Sequence, residues 1–168
     1  MLYEKIDLPP FMSNSLFLAY SIQVGSTSGS VHKPINSLFY EHKDPEVIYK
    51  MNQIANLPND LMLCLSSRDE EEEEEKSDDE LRRRIGELMD LNFDLRCEIY
   101  GKESIGISNL NMIQYLRKSN CFSAKFCGSG GAIICLRLNQ EFVEDDDSWL
   151  EEMKLESFKR GYEFVKLL

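Results

Sequence analysis

The sequence predicts an α+β domain built on a four-stranded antiparallel sheet. Short apolar runs bounded by turn residues lie near the start of the chain, on either side of a glycine cluster, and at the end. Apolar residues at helical spacing fill the two long intervals between these runs. The resulting order β-α-β-β-α-β describes two interlocked split β-α-β units. We therefore expect a ferredoxin-like fold with helices on one face and extra helices in the first crossover.

Composition is that of one ordinary domain, because 168 residues with 42% apolar content can bury a core. The net charge of −11 is concentrated between Asp69 and Glu80, where ten acidic residues and one lysine leave only −2 for the rest. Like charges at this density repel, so we expect residues 68–79 to be a disordered insertion, with an acidic docking segment as the alternative. No basic stripe is present, which argues against nucleic acid as a partner.

The cysteines and histidines give no sign of a metal site. The two histidines, His32 and His42, lie far from any cysteine cluster, and the cysteines form no Cys-x-x-Cys pair. The five cysteines are predicted to be reduced and mostly buried: Cys64, Cys97, Cys121, Cys127 and Cys135. The chain shows neither a signal peptide nor an apolar run of membrane-spanning length, so we expect a cytoplasmic protein without a membrane partner.

The first strand follows an irregular lead-in. Pro9 and Pro10 disfavour regular pairing within residues 1–15. Leu16–Ile22 is a nearly continuous apolar run, as expected for a central strand. The polar, glycine-containing residues 25–32 after it are predicted to be a loop.

A helix should begin at Asp44-Pro45, with aspartate as the N-cap and proline at the first helical position. Its apolar spacing continues to about Asn56. Because proline lacks an N–H group, we expect Pro58 to interrupt this helix and a second helical segment to start near residues 61–65.

A long helix should run from Glu80 to Tyr100 and end at Gly101. Ser77-x-x-Glu80 has the form of a capping box at its start. Asn92 interrupts the apolar stripe, and its amide needs partners, either backbone groups or a ligand hydroxyl. The other members of the stripe are Leu81, Ile85, Leu88, Met89, Phe93, Leu95 and Ile99.

Two further helices and a strand complete the predicted order. Ser108 is placed to cap a helix that ends near Asn120. Ser148-x-x-Glu151 is a second capping box, for a helix that reaches about Gly161. The final alternating segment, 162–167, is predicted to be a strand.

The glycine cluster connects two predicted strands, Phe122–Cys127 and Ala132–Leu138. Glycine adopts positive φ and lets a backbone or a phosphate approach without a Cβ in the way. An ordinary hairpin turn without a ligand is the alternative. The connecting residues are Gly128, Ser129, Gly130 and Gly131.

Two motifs resemble one enzyme family. Lys125–Ala132, Lys-Phe-Cys-Gly-Ser-Gly-Gly-Ala, is similar to the third signature motif of the GHMP small-molecule kinases, in the form seen in glucuronokinase-type sugar kinases. Leu88–Arg96 is similar to the Leu-Met-x-x-Asn-Phe-Asp-Leu-Arg helix of that subgroup. Segments around Pro9-Pro10, Leu16–Tyr20 and Ser28–His32 fit as well, and the resemblance extends from about residue 3 to residue 138.

The resemblance implies ATP-dependent phosphotransfer to the anomeric hydroxyl of a sugar or sugar acid. It implies a phosphate-proximal glycine motif at Lys125, Gly128, Ser129, Gly130 and Gly131, and substrate-side candidates at Asn92, Asp94 and Arg96. Arg96 would pair with a uronate carboxylate in bidentate fashion, or alternatively form a surface salt bridge with Asp90 or Glu98. ATP and Mg²⁺ are implied for the complete enzyme only.

The phosphate loop, the Mg²⁺-binding acids and the catalytic aspartate of the family belong to an N-terminal half that no part of this sequence resembles. We therefore expect a C-terminal domain with no catalytic residue and no metal site of its own, inactive alone and requiring an N-terminal kinase half as partner. The alternative is a stand-alone binding module that kept the fold and lost the chemistry.

Overall fold

The structure, a computed structural model, describes residues 8–22, 35–66, 74–118, 122–128, 131–139 and 148–167. The strands are β1 (Leu16–Ser21), β2 (Phe122–Phe126), β3 (Ala132–Arg137) and β4 (Tyr162–Lys166). The helices are α1 (Met12–Ser15), α2 (Pro45–Ser66), α3 (Glu74–Ile105), α4 (Ile107–Lys118) and α5 (Ser148–Lys159), with a π-helical turn at Ser37–Glu41.

The four strands form one antiparallel sheet in the order β2-β3-β1-β4. Ala19 in β1 lies opposite Ile133 of β3 on one side and Phe164 of β4 on the other. This is the strand order of two interlocked split β-α-β units, which confirms the predicted α+β class and the central position of the first strand. The predicted hairpin and last strand are confirmed as well.

The main core covers one face of the sheet. Successive residues of a strand point to opposite faces, so Phe17 and Ala19 share a face with their partners Cys135 and Ile133. Helices α4 and α5 pack on this face, and the Phe17 ring stacks on Phe164 at a centroid distance of 5.3 Å. Their buried and half-buried contributions are Met112, Ile113, Leu116, Trp149, Leu150 and Met153.

A second cluster occupies part of the opposite face. Leu16 and Leu136 alternate with core residues and are paired across β1 and β3. Both are buried, and they pack with Leu81, Ile85 and Met89 of α3. Near its start, helix α3 therefore contacts this second face, and further along it contacts the main core through Phe93. A helix that reaches both faces in this way lies beside the free edge of β2.

Helix α2 is continuous, so the predicted interruption at Pro58 is wrong. Proline removes one N–H and so leaves the Ile54 carbonyl without its usual helical donor, but the rest of the helix is held by packing. Leu57 is buried, and Leu61 and Leu65 pack against the second cluster beyond the proline. Burial on both sides of Pro58 outweighs the local defect.

Helix α3 begins at Glu74, six residues before the predicted start at Glu80. The Ser77-x-x-Glu80 capping box consequently lies inside the helix, and that prediction is wrong. Glutamate is a good helix former and is favoured near a helix N-terminus, which accounts for the earlier start. Of the predicted insertion, residues 68–73 lie outside the described residues and residues 74–79 are helical.

Gly101 interrupts α3 as predicted, since its φ of 73° and ψ of 155° are not helical. The predicted cap at Ser108 is wrong because α4 already begins at Ile107, whereas α5 does begin at Ser148.

The predicted loop at residues 25–32 lies outside the described residues. Within the described part of the chain, no helix is long and apolar enough to cross a bilayer.

Candidate functional site

The glycine turn joins β2 to β3 at the end of the sheet. Gly128 and Gly131 have φ values of 65° and 85°, a conformation that side chains other than hydrogen rarely adopt. A Cβ at either position would meet no atom of the described residues within 4 Å, so these residues leave the space beside both glycines open. Ser129 and Gly130, also predicted to belong to the motif, lie outside the described residues.

Arg96 connects the long helix to this turn. Its Nη1 donates a hydrogen bond of 2.9 Å to the Gly128 carbonyl. The two acids weighed as alternative partners bind other cations instead: Asp90 contacts Arg117 at 2.8 Å and Glu98 contacts Lys50 at 3.1 Å. The alternative of a surface salt bridge from Arg96 to these acids is therefore wrong.

Lys125 is the second cation of the site. It lies opposite Ile134 in the hairpin and so on the sheet face away from the main core. Burial lowers the pKa of the Lys125 ammonium, and the positive charge of Arg96 lowers it further. Among the described residues, no carboxylate forms an ion pair with Lys125 or Arg96. The turn is thus flanked by two cations to which the described residues supply no counter-ion.

Asn92 lies one helical turn before Arg96, on the same side of α3. Its Oδ1 atom is buried and accepts no hydrogen bond from the described residues. A buried acceptor without a donor is costly, by about 1–3 kcal/mol. The carboxamide predicted from the sequence to need a partner therefore keeps one buried acceptor that no described residue satisfies.

Asp94, the third substrate-side candidate, makes a different contact. Its Oδ1 accepts a hydrogen bond of 2.8 Å from Arg117 Nη1, and its side chain is more than half exposed. The structure therefore brings Arg96, Lys125 and Gly128 together at one end of the sheet and directs Asp94 to Arg117, while Asn92 lies one helical turn before Arg96.

No family model matches the chain. It is 28% identical over 164 residues to "Glucuronokinase 1" and 31% identical over 163 residues to "Probable glucuronokinase 2", both from Arabidopsis thaliana. The chain is similar to glucuronokinases. The matches include 96% of this chain but only 38% and 37% of the two relatives, so it spans about two-fifths of their length.

The glucuronokinase-like region includes both motifs, because the matched stretch leaves out only a few residues of the chain. What sequence reasoning missed is the pair that holds α3 against the sheet. Asp90 Oδ1 accepts a hydrogen bond of 2.9 Å from the Ala124 N–H, and Arg117 Nη2 donates one of 2.8 Å to the Ala124 carbonyl. This pair could have been anticipated from one general rule: the N–H and C=O groups on the outer side of an edge strand need hydrogen-bond partners.

The pKa of the Asp90 carboxyl lies above its ordinary value, and burial is the largest cause. The Ala124 N–H and the charge of Arg117 act in the opposite direction. The Arg117 guanidinium also lies 4.9 Å from the centre of the Phe93 ring. Asp90 and Arg117 therefore position the helix that carries Asn92 and Arg96.

Proposed function

We propose that this chain supplies the sugar-side, C-terminal part of an ATP-dependent kinase of the GHMP type, which phosphorylates the anomeric hydroxyl of a sugar or sugar acid. The observation that carries the proposal is the hydrogen bond from Arg96 to the Gly128 carbonyl. It joins the two motifs that resemble glucuronokinases into one site. The similarity to two glucuronokinases over 96% of the chain supports the same assignment.

The chemistry fits the residues available. Phosphoryl transfer depends mainly on positioning and on neutralising charge, and ATP would supply the phosphoryl group. Arg96 and Lys125 give the site a positive potential, and the open space beside Gly128 and Gly131 lets an anionic group approach the turn. The resemblance assigns Asn92 to the sugar side of the site, where its carboxamide would hydrogen-bond a hydroxyl and so orient the ring.

No metal ion is assigned to this chain. In the described ranges, no three histidine, cysteine or acidic side chains are grouped closely enough to hold one. The Mg²⁺ implied for the complete enzyme, the phosphate loop and the catalytic acid would therefore come from the complementary part of the kinase. That complementary part is the partner we propose for this chain.

A complementation experiment tests this function. The chain would be co-expressed with the part of Arabidopsis thaliana "Glucuronokinase 1" that lies outside the matched region. Copurification, followed by ADP release that depends on added glucuronate, is the expected result. The chain alone and the complementary part alone serve as the two background measurements, and both should be inactive.

Arg96→Met should lower this activity, whereas Arg83→Met, an exposed arginine on the same helix, should leave it unchanged. A complex that forms but phosphorylates no sugar would favour a binding module with a kinase-like fold. Failure of the two parts to associate at micromolar concentration would contradict the proposal.

A further inference from the structure

A groove of about 420 Å³ lies between helices α2 and α3, and its volume is in the range of pockets that hold small molecules. Leu57, which is buried, and Leu91 of α3, which is 43% exposed, supply its apolar part. The other lining residues are polar and all belong to α2: Gln53, Asn56, Asn59 and Asp60. Gln53, Asn56 and Asp60 recur at the spacing i, i+3, i+7, so they form one stripe along the helix.

The polar side chains of the groove have no partners in the described part of the chain, where no hydrogen bond or ion pair engages any of the four. Each carboxamide offers two N–H donors and one carbonyl acceptor, whereas the Asp60 carboxylate offers acceptors only. The groove therefore presents a row of donors and acceptors to whatever enters it.

These residues are also poor choices for the helix that carries them. Asparagine and aspartate have low helix propensity because their side chains hydrogen-bond the backbone in non-helical conformations. At exposed helix positions, where packing does not decide, stronger helix formers are expected. Asn56, Asn59 and Asp60 nevertheless surround Pro58 at exposed positions inside α2. Such a conflict between local propensity and fold is expected where residues serve binding.

The chemistry of the lining restricts the ligand. The six described lining residues include no lysine or arginine, and Asp60 would repel an anion, which argues against phosphates and carboxylates. A purely apolar ligand would leave the polar row unsatisfied. A hydroxyl both donates and accepts, so an uncharged polyhydroxy compound can satisfy the carboxamides and the carboxylate alike. Its C–H surface would pack against Leu57 and Leu91.

The groove is separate from the glycine turn. Leu91 and Arg96 are five residues apart on α3, which places them about 140° apart around the helix axis. Arg96 contacts the Gly128 carbonyl, whereas Leu91 lines the groove beside α2. The two sites therefore open on different sides of the same helix.

We propose that the groove between α2 and α3 binds a neutral sugar or polyol, as a carbohydrate site separate from the glycine turn. Gln53, Asn56 and Asn59 exchange hydrogen bonds with its hydroxyls, and Asp60 accepts one. The stripe from Gln53 to Asp60 is about 10 Å long, more than one sugar ring, so a disaccharide should bind more tightly than a monosaccharide. The inference does not depend on the proposed function, because no residue of the glycine turn takes part.

Titration of the ¹⁵N-labelled 168-residue chain tests the proposal. The side-chain NH₂ signals of Gln53, Asn56 and Asn59 report directly on the groove. We expect maltose to shift these signals at millimolar concentration and to bind more tightly than glucose, since each hydrogen bond in an open groove adds little net free energy. Unchanged signals at about 100 mM maltose would overturn the proposal.

Two further probes examine the ligand class. Sodium glucuronate should bind the groove about threefold or more weakly than glucose, because Asp60 repels its carboxylate. Tighter binding of glucuronate than of glucose would refute the neutral assignment. N-acetyl-trialanine amide has backbone donors and acceptors but no hydroxyl. If it bound more tightly than maltose, the groove would be a site for an extended peptide, and the carbohydrate proposal would be wrong.

Variants locate the site. Asn56→Ala and Asn59→Ala should each weaken maltose binding about threefold or more. Alanine is the better helix former, so the melting temperature should be maintained or raised, which separates lost binding from lost folding. Asn52→Ala is the matched control, because Asn52 is exposed on the same helix and does not line the groove. It should leave maltose binding unchanged, as should Arg96→Met.

Unchanged maltose binding in both groove variants, or an equal loss in Asn52→Ala, would contradict the proposal. Loss of groove binding in Arg96→Met would show that the sugar is bound at the glycine turn instead.

Discussion

Arg117 Nε lies 2.8 Å from Asp90 Oδ1, and each of these two residues also hydrogen-bonds the backbone of Ala124. Strand β2 is at the edge of the sheet, where backbone N–H and C=O groups have no neighbouring strand. The ion pair takes the place of that neighbour at Ala124, with a carboxylate for the N–H and a guanidinium for the carbonyl. Asp90 and Arg117 thereby satisfy the outer backbone groups of the edge strand β2 at Ala124, and the same contacts hold α3 against the sheet.

Replacing Arg117 with methionine should destabilise the protein by about 1–3 kcal/mol, because it removes the cation beside the half-buried Asp90 carboxylate and the donor to the Ala124 carbonyl. The loss should stay below the value of about 3–5 kcal/mol for a fully buried pair, since Arg117 is 22% and Asp90 33% exposed. Urea unfolding followed by circular dichroism measures the change.

Arg83→Met is the control for this experiment. Arg83 forms its ion pairs with Glu80 and Glu87 on the exposed surface of the same helix, and such pairs contribute little. If both variants lose the same stability, the edge contact at Ala124 has no special role.

Lys125 should titrate at lower pH than Lys50. Burial and the charge of Arg96 lower the pKa of Lys125, whereas hydrogen bonds to Glu46 and Glu98 raise the pKa of Lys50. NMR of the chain with ¹³C-methylated lysines gives both titration curves, and Lys125→Met assigns the signal. Coincident curves, or the reverse order, would contradict the burial of Lys125 beside Arg96.

The lowered pKa has a consequence for stability. The unfolded chain binds a proton at Lys125 up to a pKa near its ordinary value of 10.5, above the folded value. The Lys125 contribution to stability is therefore present above that unfolded pKa and is lost as pH falls through the folded one. The stability of the wild type relative to Lys125→Met should rise as the pH approaches 10.5, as unfolding at matched urea concentrations would show.

Gly86 is required by the close approach of α3 to β2. A Cβ at this position would lie 2.5 Å from Ser123 Oγ and 2.8 Å from Leu138 Cδ2. Gly86→Ala should therefore destabilise the protein by about 1–3 kcal/mol through overpacking, even though alanine is the better helix former. Repeating the substitution in a Ser123→Gly background should recover part of the loss. A stabilised Gly86→Ala variant would show that the helix and strand separate easily.

Pro58→Ala should raise the melting temperature. The substitution restores an N–H donor for the Ile54 carbonyl in the continuous helix α2, and an internal proline costs about 3 kcal/mol in a regular helix. A gain of about 1–3 kcal/mol corresponds to several degrees for a chain of this size. Asp60→Ala, an exposed position two residues on, is the control. A lower melting temperature would mean that the packing of Leu57 depends on the proline.

The elements that could be predicted from the sequence are those with a strong local signal. The apolar runs at Leu16–Ile22 and around the glycine turn became strands, and the left-handed Gly101 ended the regular part of the long helix. The sequence predicts the Arg96 motif and the glycine turn as two separate motifs, but it does not predict the contact between them. Their hydrogen bond depends on how α3 lies against the sheet, which no local pattern encodes.

The wrong predictions have a common physical origin. Pro58 and the capping box at Ser77 were judged by local propensity, whereas packing and the helix-forming tendency of glutamate decided the outcome. Asp90 was weighed as a surface partner of Arg96, yet it serves the edge of β2. Its role could not be found before the strand order was known.

Helix α3 also fixes the distance and the direction of Arg96 relative to the strand. Gly86 and Asp90 set its depth and rotation against β2, and Arg96 lies ten residues beyond Gly86, about 15 Å along the axis. Adding or removing one residue between these points would turn Arg96 by about 100° around the helix and away from the turn. The stretch from Gly86 to Arg96 should therefore accept many changes of side chain on its outer surface but no change in length.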